Sequence, residues 1–300
     1  MTKGNSTNLG AADNAFSTLR SYINDTPLVM LTRAARALLH FGPWRSLPRR
    51  LIPTLKIARP RRENGQPSLL GSLDANSVAD EIRRNSFALV GVLPADFVAR
   101  LREITDRLPV DHYELMHELD ENVRLLVEDS GINAVLAAYM GCEPVLLEST
   151  LGVIRALPPN AESEAQNMFH FDYAGWQSLN VFVYLTDVTA DSSHHVVIKG
   201  SHRHVKFGDA IRTHLPDDEA LRRFPEAIET VLGPAGTVFI ENTEAFHKRH
   251  RGTGRRVMLN LLYASHRNLL SHGRSTNERL AKRADVYAAA RAAAGLPPPH

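Results

Sequence analysis

The chain is short of cysteine, of net charge and of any long apolar run, and each shortage removes a class of protein. One cysteine in 300 residues, Cys142, cannot close an internal disulfide, and no Cys/His tandem surrounds it to make a structural zinc site. Thirty-five basic against 33 acidic side chains leave a formal charge of +2, so composition calls for no nucleic-acid partner. No run approaches the roughly eighteen apolar residues of a membrane span, and the opening MTKGNSTNLG lacks the apolar core of a signal peptide. A cytoplasmic protein with no membrane span is the expectation. What is present is a hydrophobic content of 43%, enough to bury a sizeable core.

Composition and periodicity divide the chain into three parts. Residues 1–70 form an N-terminal extension, in which TPLVMLTRAARALLHFGPW has helical spacing and RPRRENGQPS is an exposed connection. The helix reads as one packed on the main domain, because the run is short of aromatic anchors and of basic residues for a membrane contact. Residues 71–272 form the main domain, opening with helix, strand (FALVGVL) and a second helix that starts at Pro94-Ala95-Asp96. From about Pro144 the texture changes to short β-rich runs: PVLLESTLGVIRAL, SLNVFVYLTDV, HHVVIKG, ETVLGPAGTVFIE and RRVMLNLLYAS. Such runs, separated by turn residues, indicate a mainly β domain with flanking helices, an antiparallel sandwich or barrel. Residues 273–300, Ala-rich and ending in Gly295 and three prolines, read as a C-terminal helix and tail.

Fourteen histidines are scattered along the chain, and spacing has to sort them. His170 and Asp172 stand two apart in NMFHFDYAGW; on extended backbone such residues project from one face and can reach one metal ion, with Phe171 pointing away. The best-placed third ligand is His247, just after the strand-like TVFIE, with His250 as the alternative in the same loop. Two histidines and one carboxylate leave three positions of an octahedron open, as an Fe(II) oxygenase needs for a cosubstrate and O2, whereas zinc prefers a tetrahedral site. Arg256, nine positions beyond His247, opens another strand and can grip a carboxylate through two parallel hydrogen bonds. Alternation puts Arg256, Met258, Asn260 and Leu262 on a mixed, pocket-like face, and Arg255, Val257, Leu259, Leu261 and Tyr263 on the other, so Arg256 is preferred and Arg255 held in reserve.

The helix-strand-helix around RRNSFALVGVLPADFVARLRE, then HFD, HVVIKGSHR and the pair His247 with Arg256 occur in an order and separation similar to those of the phytanoyl-CoA dioxygenase-like family of Fe(II)/2-oxoglutarate oxygenases, from about Asn76 to Ser265. The resemblance implies a double-stranded β-helix, a cupin-like jelly-roll with the metal in its mouth. It also implies Fe(II), 2-oxoglutarate and O2 as the working set, His170, Asp172 and His247 as ligands, and Arg256 on the distal carboxylate of 2-oxoglutarate. Hydroxylation of a small molecule, with release of succinate and CO2, is the expected outcome. A metal-dependent barrel enzyme that does not use 2-oxoglutarate and a non-catalytic ligand-binding module are the competing readings. Loops near residues 112–125 and 203–225 are expected to cover the mouth, with Arg203, Lys206, Arg212, Lys248 and Arg249 available to an anionic substrate.

Overall fold

The computed structural model describes residues 43–56, 67–107, 112–154, 167–172, 174–212 and 214–266, with isolated positions between 31 and 39 and at 292. The expected C-terminal helix and most of the helix expected within 26–44 lie outside the described residues. Helix α1 (Ser46–Lys56) belongs to the N-terminal extension. Helix α2 (Ala75–Asn85), capped by the Asp74 carboxylate on the Ser77 N–H, leads through Ser86 in the left-handed region (φ 68°) into β1 (Phe87–Val92). Helix α3 (Ala95–Arg107) follows, and then β2 (His112–Tyr113).

Residues 116–140, part of which was expected to be a loop over the mouth, are helical. They form α4 (Met116–Leu119), α5 (Glu121–Val127) and α6 (Ser130–Met140). Met116, Leu119, Val123, Leu126, Ile132, Val135 and Leu136 are all buried in the main core. The physical reason is that α4 and α5, four and seven residues long, are too short for a helical period to show in the sequence. Asp129 ties this unit down: its carboxylate caps α6 at the Ile132 N–H (2.9 Å) and also accepts from Leu69 N–H (2.7 Å) and Ser68 Oγ (2.9 Å).

The remaining strands are β3 (Val145–Ile154), β4 (Phe169–His170), β5 (Ser178–Tyr184), β6 (His195–Ile198), β7 (His214–Leu215), β8 (Ile228–Val231), β9 (Thr237–Glu241), β10 (His247–Arg249) and β11 (Arg256–Ala264). They make two antiparallel sheets, a six-stranded one in the order β1-β9-β5-β11-β3-β2 and a five-stranded one in the order β7-β4-β10-β6-β8. This is the jelly-roll arrangement, mainly β with flanking helices, among them two short ones, Phe207–Arg212 and Asp217–Arg223, that pack behind the smaller sheet through Ala210 and Ala220. Period-2 alternation sorts the side chains. Val181, Val183, Val238, Ile240, Val257, Leu259, Leu261 and Tyr263 pack outward against the helices. Phe182 and Tyr184 of β5, Phe239 of β9, Val197 of β6 and Val231 of β8 meet between the two sheets. Two glycines hold close approaches. Gly236 (φ 96°) turns the chain into β9 against the Leu93 carbonyl, and a Cβ on Gly252 would stand 2.1 Å from the Ser192 carbonyl carbon.

Candidate metal centre

Strand pairing brings the candidate ligands together. His170 on β4 is the direct cross-strand partner of His247 on β10, with ring centroids 4.5 Å apart. Asp172 lies just past the end of β4, its N–H donating to the Thr243 carbonyl (2.7 Å), and its Oδ2 is 3.6 Å from His247 Nε2. One ligand atom from each of the three residues lies within 4.8 Å of the others. Phe171 turns the other way, into the apolar cluster behind the smaller sheet, edge-on to Phe246 at 5.6 Å.

The tautomers of both histidines follow from their backbone contacts. His170 Nδ1 is 2.9 Å from the Met168 carbonyl and His247 Nδ1 is 3.0 Å from the Ala245 carbonyl. A carbonyl only accepts, so each Nδ1 donates its proton and each Nε2 keeps a lone pair for a cation. Burial, with a smaller contribution from His247, pushes His170 down to about 4, which keeps it neutral and able to ligate at ordinary pH. His247 is shifted the other way. Burial lowers it, but Glu241 and Asp172 together more than offset this. Two imidazoles and a carboxylate converging in this way are the donor set of a facial Fe(II) site.

The rival histidine goes elsewhere: His250 stacks on His194, centroids 4.3 Å apart and planes at 7°, while its N–H donates to the His194 carbonyl at 2.8 Å. Among the arginines, Arg255 is at the surface, with Asp106 at 3.5 Å and its side chain 39% exposed. Arg256 is 3% exposed, and its Nε and Nη1 have no hydrogen-bond partner among the described residues. Burial brings it down to about 10, with Tyr184 acting to raise it and Arg249 to lower it, and no carboxylate among the described residues acts on it. A buried guanidinium with open donors is costly in the free protein and is a ready site for an anion.

Two neighbours of the triad, Glu241 and Tyr184, were not foreseen from sequence, and a third, His195, stands in a tandem with His194 that sequence offers only as a less favoured metal-binding pair. Glu241, fully buried, has Oε2 2.6 Å from His195 Nε2 and Oε1 3.7 Å from His247 Nδ1, although the His195 N–H direction departs from hydrogen-bond geometry. His195 stacks on His247 at 5.4 Å, and its N–H donates to Tyr184 Oη at 3.3 Å. Tyr184 in turn donates to the Val231 carbonyl at 2.9 Å. The available signal was Glu241 itself, a carboxylate on the alternating face of TVFIE that also carries Thr237 and Phe239. Of the basic residues considered for an anionic substrate, Arg212 pairs with Glu219 and Asp209, and Lys248 pairs with Asp217. Arg203 and Lys206 line a groove of about 520 Å³ with Lys199 and Arg223.

No family model matches the sequence, and no curated protein does. Among solved structures, the chain is similar to EctD from S. alaskensis with bound Fe, at a TM-score of 0.51 and 19% identity over 68% of this chain and 82% of that one. It is also similar to the non-heme alpha ketoglutarate dependent epimerase SnoN from nogalamycin biosynthesis, with a TM-score of 0.47 and 17% identity over 68% of this chain and 89% of that one. For HygX from Streptomyces hygroscopicus with iron bound the values are 0.48 and 16%, over 63% and 85%. At 19% identity, the likeness to EctD speaks for a shared fold.

Proposed function

We propose that the chain is an Fe(II)/2-oxoglutarate-dependent dioxygenase of the phytanoyl-CoA dioxygenase-like kind, with its oxygenase domain in residues 71–272, acting in the cytoplasm on a small organic substrate. The observation that carries the reading is Arg256, a buried guanidinium with unused donors on the same barrel interior as a two-histidine, one-carboxylate cluster. His170 Nε2, His247 Nε2 and the Asp172 carboxylate would hold Fe(II), and Arg256 would bind the far carboxylate of 2-oxoglutarate through two charge-assisted hydrogen bonds. That cation, with 2-oxoglutarate and O2, supplies the oxidising power: the cosubstrate is split to succinate and CO2 while a C–H bond of the substrate is oxidised, most simply to an alcohol.

The protein's own share is orientation and exclusion. The Met168 and Ala245 carbonyls fix both imidazole tautomers, and the Thr243 carbonyl holds the Asp172 backbone. Phe182 and Phe239, stacked 4.9 Å apart, wall the interior against water. Asp172 itself speaks against halogenation, which needs a small residue there to free a position for halide.

The test is anaerobic addition of Fe(II), then 2-oxoglutarate, to the metal-free protein. A visible charge-transfer band on the second addition, absent from His170→Ala and Asp172→Ala, is the expected result. Wild-type protein that binds Fe(II) and gives no band would sink the cosubstrate assignment.

A further inference from the structure

The N-terminal extension carries a charge pattern that the oxygenase reading does not use. Residues 26–62 contain nine of the chain's 35 basic residues and none of its 33 acidic ones, leaving 26 basic against 33 acidic for everything else. The near-neutral total therefore hides a strongly basic arm joined to an acidic body, and the membrane contact set aside for the run at 26–44, which holds two of the nine, returns once the seven in residues 45–62 are counted. The same arm exposes a large share of the apolar side chains that face outward. Leu31, Leu38, Trp44, Leu47 and Leu51 are five of the eleven exposed large apolar residues among those described. Trp44, Leu47 and Leu51 follow the i, i+3, i+7 spacing of one helical face, with Leu47 and Leu51 on α1 and Trp44 in the turn of 3-10 helix directly before it. A stripe of that spacing normally faces a core, and this one faces outward, 42–59% exposed.

We propose that this arm docks the protein on an anionic lipid surface, with Trp44, Leu47 and Leu51 entering the headgroup boundary and Arg50, exposed beside them on α1, meeting the anionic headgroups. Charge and apolarity together select this occupant. An apolar stripe edged by basic residues, with a tryptophan among them, is the composition of a helix that lies in a bilayer interface. A second copy in a symmetric pairing would set nine basic residues against nine. A nucleic-acid backbone would satisfy the charges and leave the leucines in water.

The arm is also fixed to the candidate metal centre. Arg49, on α1 but turned inward, donates from Nη2 to both Glu244 oxygens at 2.6 Å and from Nε to the Trp176 carbonyl at 2.6 Å. Glu244 stands three residues before His247, so a bilayer under the arm adjoins the end of the barrel that bears the triad. Lipid docking itself does not depend on the metal chemistry and is tested without it.

The experiment is co-sedimentation of the full chain with vesicles of phosphatidylcholine alone or mixed with phosphatidylserine, at low and high salt, with the emission of Trp44 recorded alongside in a Trp176→Phe background, which removes the second tryptophan. Binding to the mixed vesicles, a blue shift of Trp44 quenched by brominated lipid, and release by high salt are expected. Arg50→Gln should weaken partitioning about fivefold, and the combined Trp44→Ser, Leu47→Ser, Leu51→Ser variant by more than about tenfold. Arg50→Gln provides an independent arm should the triple variant misfold. No partitioning to anionic vesicles at low salt would overturn the proposal. So would partitioning without a change at Trp44, or a concentration-dependent dimer that the triple variant abolishes.

Discussion

The Glu241 carboxylate lies 2.6 Å from His195 Nε2 on one side and 3.7 Å from His247 Nδ1 on the other, buried between the two sheets. It thereby adds a second negative charge behind a cluster whose only carboxylate ligand is Asp172. Burial raises its pKa, but His195 and His247 outweigh this and leave it lowered, so it is ionised at neutral pH. A cation at the triad experiences that charge through His247.

Glu241→Gln, which keeps shape and removes charge, is therefore expected to weaken divalent-metal binding about tenfold to a hundredfold, the usual effect of losing a partner behind a ligand. Anaerobic Fe(II) titration measures it. Unchanged affinity would reduce Glu241 to a packing partner of His195.

Choosing between the two histidines of the HKRH segment gives a sharper contrast. His247 faces Asp172 at 3.6 Å, while His250 stacks on His194. His247→Ala is expected to abolish Fe(II) uptake, and His250→Ala to leave it within about twofold, any effect being confined to loop stability. The reverse order would move the metal site.

Much of this arrangement was legible because period-2 alternation survives in long strands. β3, β5, β9 and β11 each hold a dozen or fewer residues with a clear outer apolar face, and that alternation separates Arg256 from Arg255. His170 and Asp172 are readable as a pair because i and i+2 share a face. What could not be read depends on packing across the barrel. β4, β7 and β10 are two or three residues long, too short for any period, and they exist because their neighbours complete the sheet. The pairing of His195 with Glu241 joins β6 of one sheet to β9 of the other, 46 positions apart, and no local pattern marks it.

Acid sensitivity follows from a histidine outside the triad. His202, 8% exposed, is pushed down to about 4, mainly by burial and then by Arg203. The unfolded chain, with an ordinary value near 6.5, binds that proton more readily than the folded one. Stability is thus fully present above pH 6.5 and falls as the pH is lowered toward 4, by about 3 kcal/mol at most for this group. Urea unfolding of metal-free protein across that range, against His202→Gln, should show a shallower decline in the variant. Parallel curves would mean that His202 does not titrate with unfolding.

Arg49 holds the loop that carries Thr243 and Glu244, and Thr243 in turn holds Asp172. Arg49→Ala leaves a 4% exposed carboxylate without its partner. The cost is expected to be about 2 kcal/mol, below that of a fully buried pair because water still reaches the arginine. Thermal unfolding reads the stability, and metal titration should show a smaller loss of affinity. Arg49→Lys should recover part of the first.

Arg256 offers the most discriminating case, because stability and binding are expected to move in opposite directions. The free protein bears a buried cation whose Nε and Nη1 donors are unmet among the described residues. Replacing such a group by an apolar one of similar length commonly stabilises, here by about 1–2 kcal/mol for Arg256→Met. The same change removes two charge-assisted hydrogen bonds to 2-oxoglutarate, an expected loss of about a hundredfold in its affinity. Thermal unfolding with and without 2-oxoglutarate separates the two effects: the variant should melt higher alone and gain nothing from the ligand. Arg255→Met, at a surface pair with Asp106, should alter neither. If Arg256→Met kept the ligand-induced shift, or if Arg255→Met lost it, the anchor would have to be sought elsewhere in the barrel.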